Sequence, residues 1–348
     1  MALYTLKVHD IIIETNDTVT LCFKQPGLKK IKYIAGQYLT LIFRINGRRY
    51  IRPYSFSSSP GIDPFLQVTV KRIPGGIISN HINDAIRIGD SIEVMEPMGD
   101  FIYQHEKDSI INTIILWGVG SGITPLISIA KYLLATHTDK KVILLYGNRN
   151  HESVIFKDQI AQLQQVYTNT FTAWHFFTQS AIDENNPYII QGRIDPDKVF
   201  LNLREDDLLN SAHYICGPPG LKESVKKALD LKNVPTSRIY TEDFELVKNP
   251  SDFEDIHTQF VELAFNNTVT TLEVVKGKSI LEAGLDANIE MPYSCQTGNC
   301  ITCKGTLLSG SLKTIGVEKL PDGLDEQEYL LCCSYPNSNN IRVIINQL

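Results

Sequence analysis

The chain has 348 residues, of which 43% are hydrophobic and 21% charged, with a net charge of −6 at pH 7. That balance disfavours nucleic acid as a partner, no apolar run reaches the roughly 18 residues that span a bilayer, and the length suffices for two or three domains. The first residues show no basic stretch followed by an apolar core, so no secretory signal is expected; seven cysteines, five of them in the last 54 residues, fit a reducing cytoplasm rather than a disulfide framework.

In chain order, the first hundred residues read as all-β. Thr18–Phe23, Tyr38–Phe43 and Phe65–Val70 are short β-branched or aromatic runs. Turn residues separate them at Pro26-Gly27, Asn46-Gly47 and Pro60-Gly61, and Asn46-Gly47 is a strong hairpin signal. One helical patch, Ile78–Ile86, interrupts the strands, so a small antiparallel β-barrel with one helix is expected.

From about Asp108 the period changes. Ile110–Trp117 is a largely apolar run, broken at Asn112-Thr113, as in a strand buried on both faces. A helix over Leu126–Leu134, a strand Lys141–Tyr146, a helix Val154–Gln165, a strand Phe171–Phe177, a strand Ala212–Cys216 and a helix Leu221–Leu231 follow. This alternation predicts a parallel α/β sheet. Leu246–Asp255 is charged, contains Pro250 and lacks periodicity, which reads as a linker. Beyond it, Phe260–Phe265 and Thr270–Val275 alternate like a hairpin, Ser279 with Glu282 predicts a capped helix through Asn288, and Ile341–Ile345 is a final strand. Residues 255–348 hold 11 acids and 6 bases, so most of the net charge lies there; this part could steer onto a basic protein, or simply present a solvated face.

Near the C-terminus, Cys295, Cys300 and Cys303 have the spacing C-x4-C-x2-C, followed after a long gap by Cys332 and Cys333. That is the plant-type [2Fe–2S] ligand pattern, in which one tight loop supplies three thiolates. Gly298 permits positive φ, and the small or polar residues around it allow backbone N–H groups to face sulfur. Zinc sites favour paired C-x2-C, and only one such pair is present.

Gly118-x-Gly120-x-Gly122 follows a predicted strand and opens a helix, the setting in which glycines let backbone amides approach a pyrophosphate. Its spacing is that of a Rossmann variant. The second strand of this part ends in Asn148-Arg149, with Lys157 beyond, where an acid would bind a ribose 2′-hydroxyl; a cation there suits the 2′-phosphate of NADPH, NADH remaining possible. Arg52-Pro53-Tyr54-Ser55 offers an arginine for a phosphate, a ring for stacking and a hydroxyl for a ring nitrogen, and Gly75-Gly76 opens the barrel's one helix.

Arg-x-Tyr-Ser, Gly-Gly-x-x-Ser, Gly-x-Gly-x-Gly-Ile-Thr-Pro and Cys-Gly-Pro-Pro-Gly occur here in the order and rough spacing of the ferredoxin–NADP reductase superfamily, over about Leu3 to Phe244. With its cysteine-rich end, the whole chain resembles oxygenase reductases, and its layout is similar to that of the reductase subunits of phenylacetyl-CoA ring epoxidases. Phthalate-type reductases share the order but typically use FMN. The resemblance implies a multidomain protein: an antiparallel β-barrel FAD domain (1–106), a parallel α/β Rossmann-like nicotinamide domain (107–245), a linker (246–256) and a β-grasp ferredoxin domain (257–348). It implies that Arg52, Tyr54 and Ser55 hold the flavin, with Ser55 near its reactive nitrogen. Val70 and Lys71 would line the flavin side chain, and Gly76 and Ser79 its phosphates. Gly118, Gly120 and Gly122 would hold the coenzyme, with Arg149 beside its 2′-phosphate. Thr124 would sit between flavin and nicotinamide, Cys216 and Gly217 would face the nicotinamide, and Phe244 would cover the flavin. Leu330-Leu331-Cys332-Cys333-Ser334-Tyr335-Pro336 resembles the ferredoxin string Leu-x-Cys-x-x-Tyr-Pro, which favours Cys332 as fourth ligand over Cys333, whose side chain would face the other way along a strand.

The expected activity is electron transfer from NADPH through FAD to a [2Fe–2S] cluster and on to a di-iron multicomponent oxygenase, phenylacetyl-CoA epoxidase first, by a monomeric cytoplasmic protein without membrane or nucleic-acid partners. Reductases of Rieske hydroxylases, desaturases or other metalloenzymes, and a redox-sensing flavo-iron–sulfur protein, are the alternatives.

Overall fold

The computed structural model describes residues 2–25, 27, 30–104, 111–179, 186–203, 208 and 210–346. Pro26 of the expected first turn, Ile110 of the expected strand and the expected boundary at 106–107 lie outside the described residues. The chain divides into two compact units, one of Leu3–Leu39 with Tyr54–Asp243, the other of Thr40–Pro53 with the chain from Phe244 onward.

The first unit opens with strands β1 (Leu3–Thr15) and β2 (Thr18–Phe23). Strands β3 (Tyr38–Ile45) and β4 (Arg48–Ser55) come next and are described with the second unit; β5 (Leu66–Lys71), helix α1 (Ile77–Asp84) and β6 (Ser91–Met95) follow. The antiparallel order is β6-β1-β2-β5. Leu6, Val8, Leu21, Phe23, Val68 and Val70 are each no more than 1% exposed and form the inner face. β1 changes partner midway: Leu3–Lys7 pair with β6, and Val8–Thr15 with β2. Its register shifts at Val8/Asp10 and Ile13/Thr15 break the two-residue period, which is why this long strand does not stand out in the sequence. A bridge between Phe56 and Val68 brings the chain after β4 back onto β5.

The same unit continues through β7 (Thr113–Val119), α2 (Ile123–Thr136), β8 (Lys141–Asn148), α3 (Lys157–Val166), β9 (Phe171–Phe177), β10 (Ile189–Gln191), α4 (Pro196–Asn202), β11 (Ser211–Cys216), α5 (Pro219–Leu231) and β12 (Ile239–Glu242). All six strands are parallel, in the order β10-β9-β8-β7-β11-β12. Leu126, Leu133 and Ile160 pack α2 and α3 on one face, against Leu144 and Tyr146. Val199, Phe200, Val225 and Leu229 pack α4 and α5 on the other, against Trp117 and Leu145. Burial of both faces explains the largely apolar runs. α3 starts at Lys157, later than the expected Val154, because Asn150 caps a separate turn, His151–Ser153, and Phe156 takes a φ of 60° just before the helix. In the core, Trp117 Nε1 donates to His213 Nδ1 at 3.1 Å and His213 Nε2 lies 2.8 Å from Ser211 Oγ. The ring is therefore neutral with its proton on Nε2, and burial pushes its pKa down to about 3.

In the second unit β3 and β4 form the hairpin expected from Asn46-Gly47, both residues at positive φ. The rest comprises β13 (Gln259–Phe265), β14 (Thr268–Val274), α6 (Ile280–Asp286), β15 (Lys304–Ser309), β16 (Leu312–Thr314), β17 (Glu328–Leu330), β18 (Ser334–Pro336) and β19 (Ile341–Ile344). The mixed sheet runs β14-β13-β19-β15-β17, a β-grasp arrangement with β13 parallel to β19. Ser279 and Glu282 form the expected capping box on α6, which ends at Asp286, short of Asn288, because Asn288 turns to a φ of 59°. The segment 246–256 is a packed wrap. Asn249 and Asp252 cap a single turn at Pro250–Phe253, Phe253 and Ile256 bury against Ile315 and Tyr335, Lys313 Nζ donates to the Asp252 carbonyl at 2.8 Å, and Lys248 pairs with Glu282.

Candidate functional site

Three groups of expected site residues can be followed. The first surrounds the end of the barrel. Ser55 is buried and Tyr54 half-buried at the end of β4, Val70 is buried and Lys71 half-buried at the end of β5, and Lys71 Nζ lies 3.4 Å from Asp17. Gly76 is the N-cap of α1, and Ser79 in its first turn accepts from the Ile73 amide through Oγ at 3.1 Å. No side chain caps α1, so amides of its first turn stay open to an anion. The chain leaving Ser55 is tied to α2: Ser128 Oγ donates to the Ser58 carbonyl at 2.6 Å, and the buried Lys131 pairs with Asp63 at 2.6 Å. Burial lowers the Lys131 pKa, while Asp63 opposes the shift. Ser55 and Thr124 thus share one braced support. Arg52 belongs to the second unit, where its Nη1 donates to the Ile51 carbonyl at 2.7 Å.

The second group lies where the order of the parallel sheet reverses, between β7 and β11. Ligands of open α/β sheets bind at this switch point. Cys216 pairs with Gly118 in register, α2 and α5 both begin here, and neither has a side-chain cap. Of the three glycines, Gly122 is filled by protein rather than coenzyme. A Cβ on it would fall 2.1 Å from the Cys216 carbonyl oxygen and 3.0 Å from the Gly217 nitrogen. On Gly118 a Cβ would meet Leu126 at 2.9 Å, whereas Gly120 has a φ of 55° and open space. The close approach at Gly122 brings Cys216 and Gly217 beside Thr124, whose Oγ1 donates to the Ser121 carbonyl at 3.0 Å. Tyr146 on β8 donates to the Gly120 carbonyl at 3.0 Å and fixes the loop from the other side. Arg149 follows β8, is exposed, and accepts from the Gln179 amide through its carbonyl at 2.8 Å; Lys157, also exposed, starts α3.

One residue here escaped the sequence reading. Glu242 pairs with Cys216 in the β11–β12 register. Desolvation first, then Asp243 and Asp100, push its carboxyl up to about 8, so it holds a proton at neutral pH. Burial, reinforced by Glu242 and Asp243, keeps the Cys216 thiol protonated. The signal was its place on the strand before Phe244, which itself is exposed at the start of the second unit's C-terminal part.

The third group is the cysteine loop. Cys295, Cys303, Cys332 and Cys333 are buried and Cys300 half-buried. Among the described residues, no three His, Cys, Asp or Glu side chains are arranged to hold a single metal ion. The free thiols instead form a chain of mutually perturbing neighbours: Cys300 with Cys295, Cys295 with Cys332, and Cys332 with Cys303. These contacts, with burial, push Cys300 and Cys303 up; at Cys295 the bond with Cys300 pulls down but the bond with Cys332 and burial outweigh it. Thiols crowded this way ionise together only with cations among them. Amides face the sulfurs, Thr297 N lying 3.4 Å from Cys295 Sγ. The loop turns through positive φ at Gln296 and Gly298, and Gly298 is packed under Val317, where a Cβ would sit 2.4 Å from a Val317 methyl. Cys332 and Cys333 lie in a turn between β17 and β18, not along a strand as expected. Cys333 points away from the chain of thiols, donating to the Leu330 carbonyl at 3.4 Å. The four-sulfur donor set fits a [2Fe–2S] group.

Residues 5–103 match the model of oxidoreductase FAD-binding domains, 116–227 that of oxidoreductase NAD-binding domains, and 264–337 that of 2Fe–2S iron–sulfur cluster binding domains. The chain is 30% identical over 354 residues to the ferredoxin reductase component of 3-ketosteroid-9-alpha-monooxygenase from Rhodococcus rhodochrous, covering 97% of this chain and 95% of that one. It is also 30% identical over 358 residues to a subunit of the 1,2-phenylacetyl-CoA epoxidase of Escherichia coli (strain K12), covering 98% of this chain and 97% of that one. Its fold is like that of phthalate dioxygenase reductase, with a TM-score of 0.68 at 24% identity, covering 99% of this chain and 98% of the other.

Proposed function

As a member of the flavin- and [2Fe–2S]-containing NAD(P)H reductases of the ferredoxin–NADP reductase superfamily, this chain, we propose, is the electron-supplying component of a multicomponent oxygenase. The observation that carries the reading is the presence, on one polypeptide, of a nicotinamide switch point braced to a flavin seat and of four clustered thiols, three of them buried. When bound, a flavin accepts two electrons from reduced nicotinamide and passes them singly to a low-potential [2Fe–2S] cluster.

The protein's part is placement. In the first unit the open first turn of α1 at Gly76 and Ser79, with Lys71, would hold flavin phosphates and side chain, Tyr54 would pack on the ring and Ser55 would bond its nitrogen; in the second, Arg52 would offer a guanidinium to a phosphate. Gly118, Gly120 and the uncapped start of α2 hold the coenzyme pyrophosphate, while Gly122 seats Cys216 and Gly217 against the nicotinamide. Thr124 would stand between the two rings. The uncharged Cys216 and Glu242 keep negative charge off the nicotinamide edge, where hydride leaves. Arg149 selects NADPH through its 2′-phosphate, Phe244 shields the flavin, and Cys295, Cys300, Cys303 and Cys332 ligate the cluster. The oxygenase to test first is phenylacetyl-CoA epoxidase, a di-iron system; the steroid monooxygenase component is equally similar, so both belong in the assay.

The test is anaerobic titration of purified protein with NADPH, followed by absorption and EPR. Flavin bleaching followed by a reduced [2Fe–2S] signal, and oxygen-dependent turnover on adding one of the oxygenases, is the expected result. Zinc in place of iron, or no turnover with any oxygenase, overturns it.

A further inference from the structure

Strand β4 ends the order β4-β3, so among the described residues its outer edge has no strand partner, a liability that proteins cover. At Ile51 the amide is taken by the cysteine loop, and the carbonyl is shared between that loop and Arg52 Nη1, which donates to it at 2.7 Å. Tyr293 Oη accepts from the Ile51 amide at 3.1 Å, in a buried bond, and Gln296 Nε2 donates to the Ile51 carbonyl at 3.4 Å. The two side chains flank Cys295, two residues before it and one after. Thr40 and Ser294 add a buried hydroxyl pair at 2.8 Å. Arg44 with Glu290 and Arg48 with Asp286 lie outside these bonds, half exposed; such pairs are each worth about 0–1 kcal/mol and steer rather than hold.

We propose that Tyr293 and Gln296 are positioning residues that clamp the Cys295 loop to the Ile51 peptide, setting the distance over which an electron passes from the strand carrying Arg52 to the cluster. Resting on the function proposed above, the step takes one electron from the reduced flavin and adds it to the oxidised cluster, [2Fe–2S]2+ becoming [2Fe–2S]+; the second follows once an acceptor has reoxidised the cluster. Donation through the Ile51 carbonyl leads in one covalent step to Arg52. On the other side, the bond reaches Gln296, the residue joined to Cys295.

Tyr293→Phe keeps the ring and removes only the hydroxyl. Gln296→Asn keeps a residue suited to positive φ and shortens its reach. In both variants, and more so in the double variant, amide hydrogen exchange at Ile51 should quicken. FAD and iron content, the EPR signal of the reduced cluster and NADPH-driven ferricyanide reduction should stay at the parental level. Stopped-flow transfer from flavin to cluster should slow severalfold, because the path from the Arg52 strand to the Cys295 loop lengthens. Faster exchange with unchanged transfer would show that the clamp does not set the electron path. Unchanged exchange would show that the clamp is absent in solution. Failure of the parent protein to hold FAD or iron would instead strike at the function proposed above, and appears before any variant is made.

Discussion

Gly122 and Cys216 meet backbone to backbone: a methyl group on the glycine would stand 2.1 Å from the carbonyl oxygen of the cysteine. Two ends of adjacent strands are thereby locked at the switch point, and the coenzyme edge depends on a contact that only glycine permits.

Gly122→Ala should therefore cost about 3 kcal/mol or more in stability, since backbone cannot yield as a side chain does. Gly120→Asn should cost about 1 kcal/mol or less, because the site is open and asparagine tolerates positive φ. Urea unfolding midpoints check both. A Gly122→Ala protein as stable as the parent would mean that the Cys216 strand end is not fixed as described.

Serine in place of Cys295, Cys300, Cys303 or Cys332 should each abolish or strongly alter the [2Fe–2S] absorption, whereas Cys333→Ser should leave it nearly intact. Loss of the cluster on changing Cys333, with its retention on changing Cys332, would reverse the assignment of the fourth ligand.

Two buried groups should give stability opposite pH slopes, which offset one another between about pH 6.5 and 4.5, so the net acid loss appears below about pH 4.5 and the net alkaline loss above about pH 6.5. His213 binds a proton near pH 6.5 in the unfolded chain but only near 3 when folded, because burial disfavours its charge. Its neutral form therefore supports the fold fully above pH 6.5, and that support drains away as pH falls from there towards 3. The loss amounts at most to about 5 kcal/mol. Glu242 has the opposite slope. Raised to about 8, it favours the fold below pH 4.5 and withdraws that support as pH rises through 8. Thermal melting from pH 4 to 9, with Glu242→Gln compared to the parent, separates the two; the variant should flatten the alkaline side.

Arg149→Ala should raise KM for NADPH roughly 10- to 150-fold, the equivalent of about 1.5–3 kcal/mol for a charge-assisted contact, and leave NADH nearly untouched. Equal use of the two coenzymes by the parent protein would return Arg149 to a solvated loop residue.

How much of this could be read in advance follows from where the constraint lies. The cysteine spacing was legible because a cluster demands thiolates at fixed offsets. The run Ile114–Trp117 was legible because a strand buried on both faces favours apolar residues. The role of Gly122 was only half legible. Its need for glycine shows locally, but what presses on it is Cys216, from a strand far along the chain. Glu242 reads as an ordinary acid until its half-buried place beside Asp243 and Asp100 shows in the fold. Ile51 gives no sign that its peptide is held by Tyr293 and Gln296, since nothing in a side-chain pattern records where an edge strand's amides go. The long β1 was hidden by its own bulges.

The wrap formed by residues 246–256 bears on transplantation. Phe253 and Ile256 fill a hollow shared with Ile315 and Tyr335, and Lys313 is anchored on the Asp252 carbonyl. A graft of the iron–sulfur module onto a foreign flavoprotein should therefore take its splice ahead of Leu246. A junction at Asp255 would leave Tyr335, three residues from Cys332, wet on one side, and the recipient would inherit a cassette with its keystone missing.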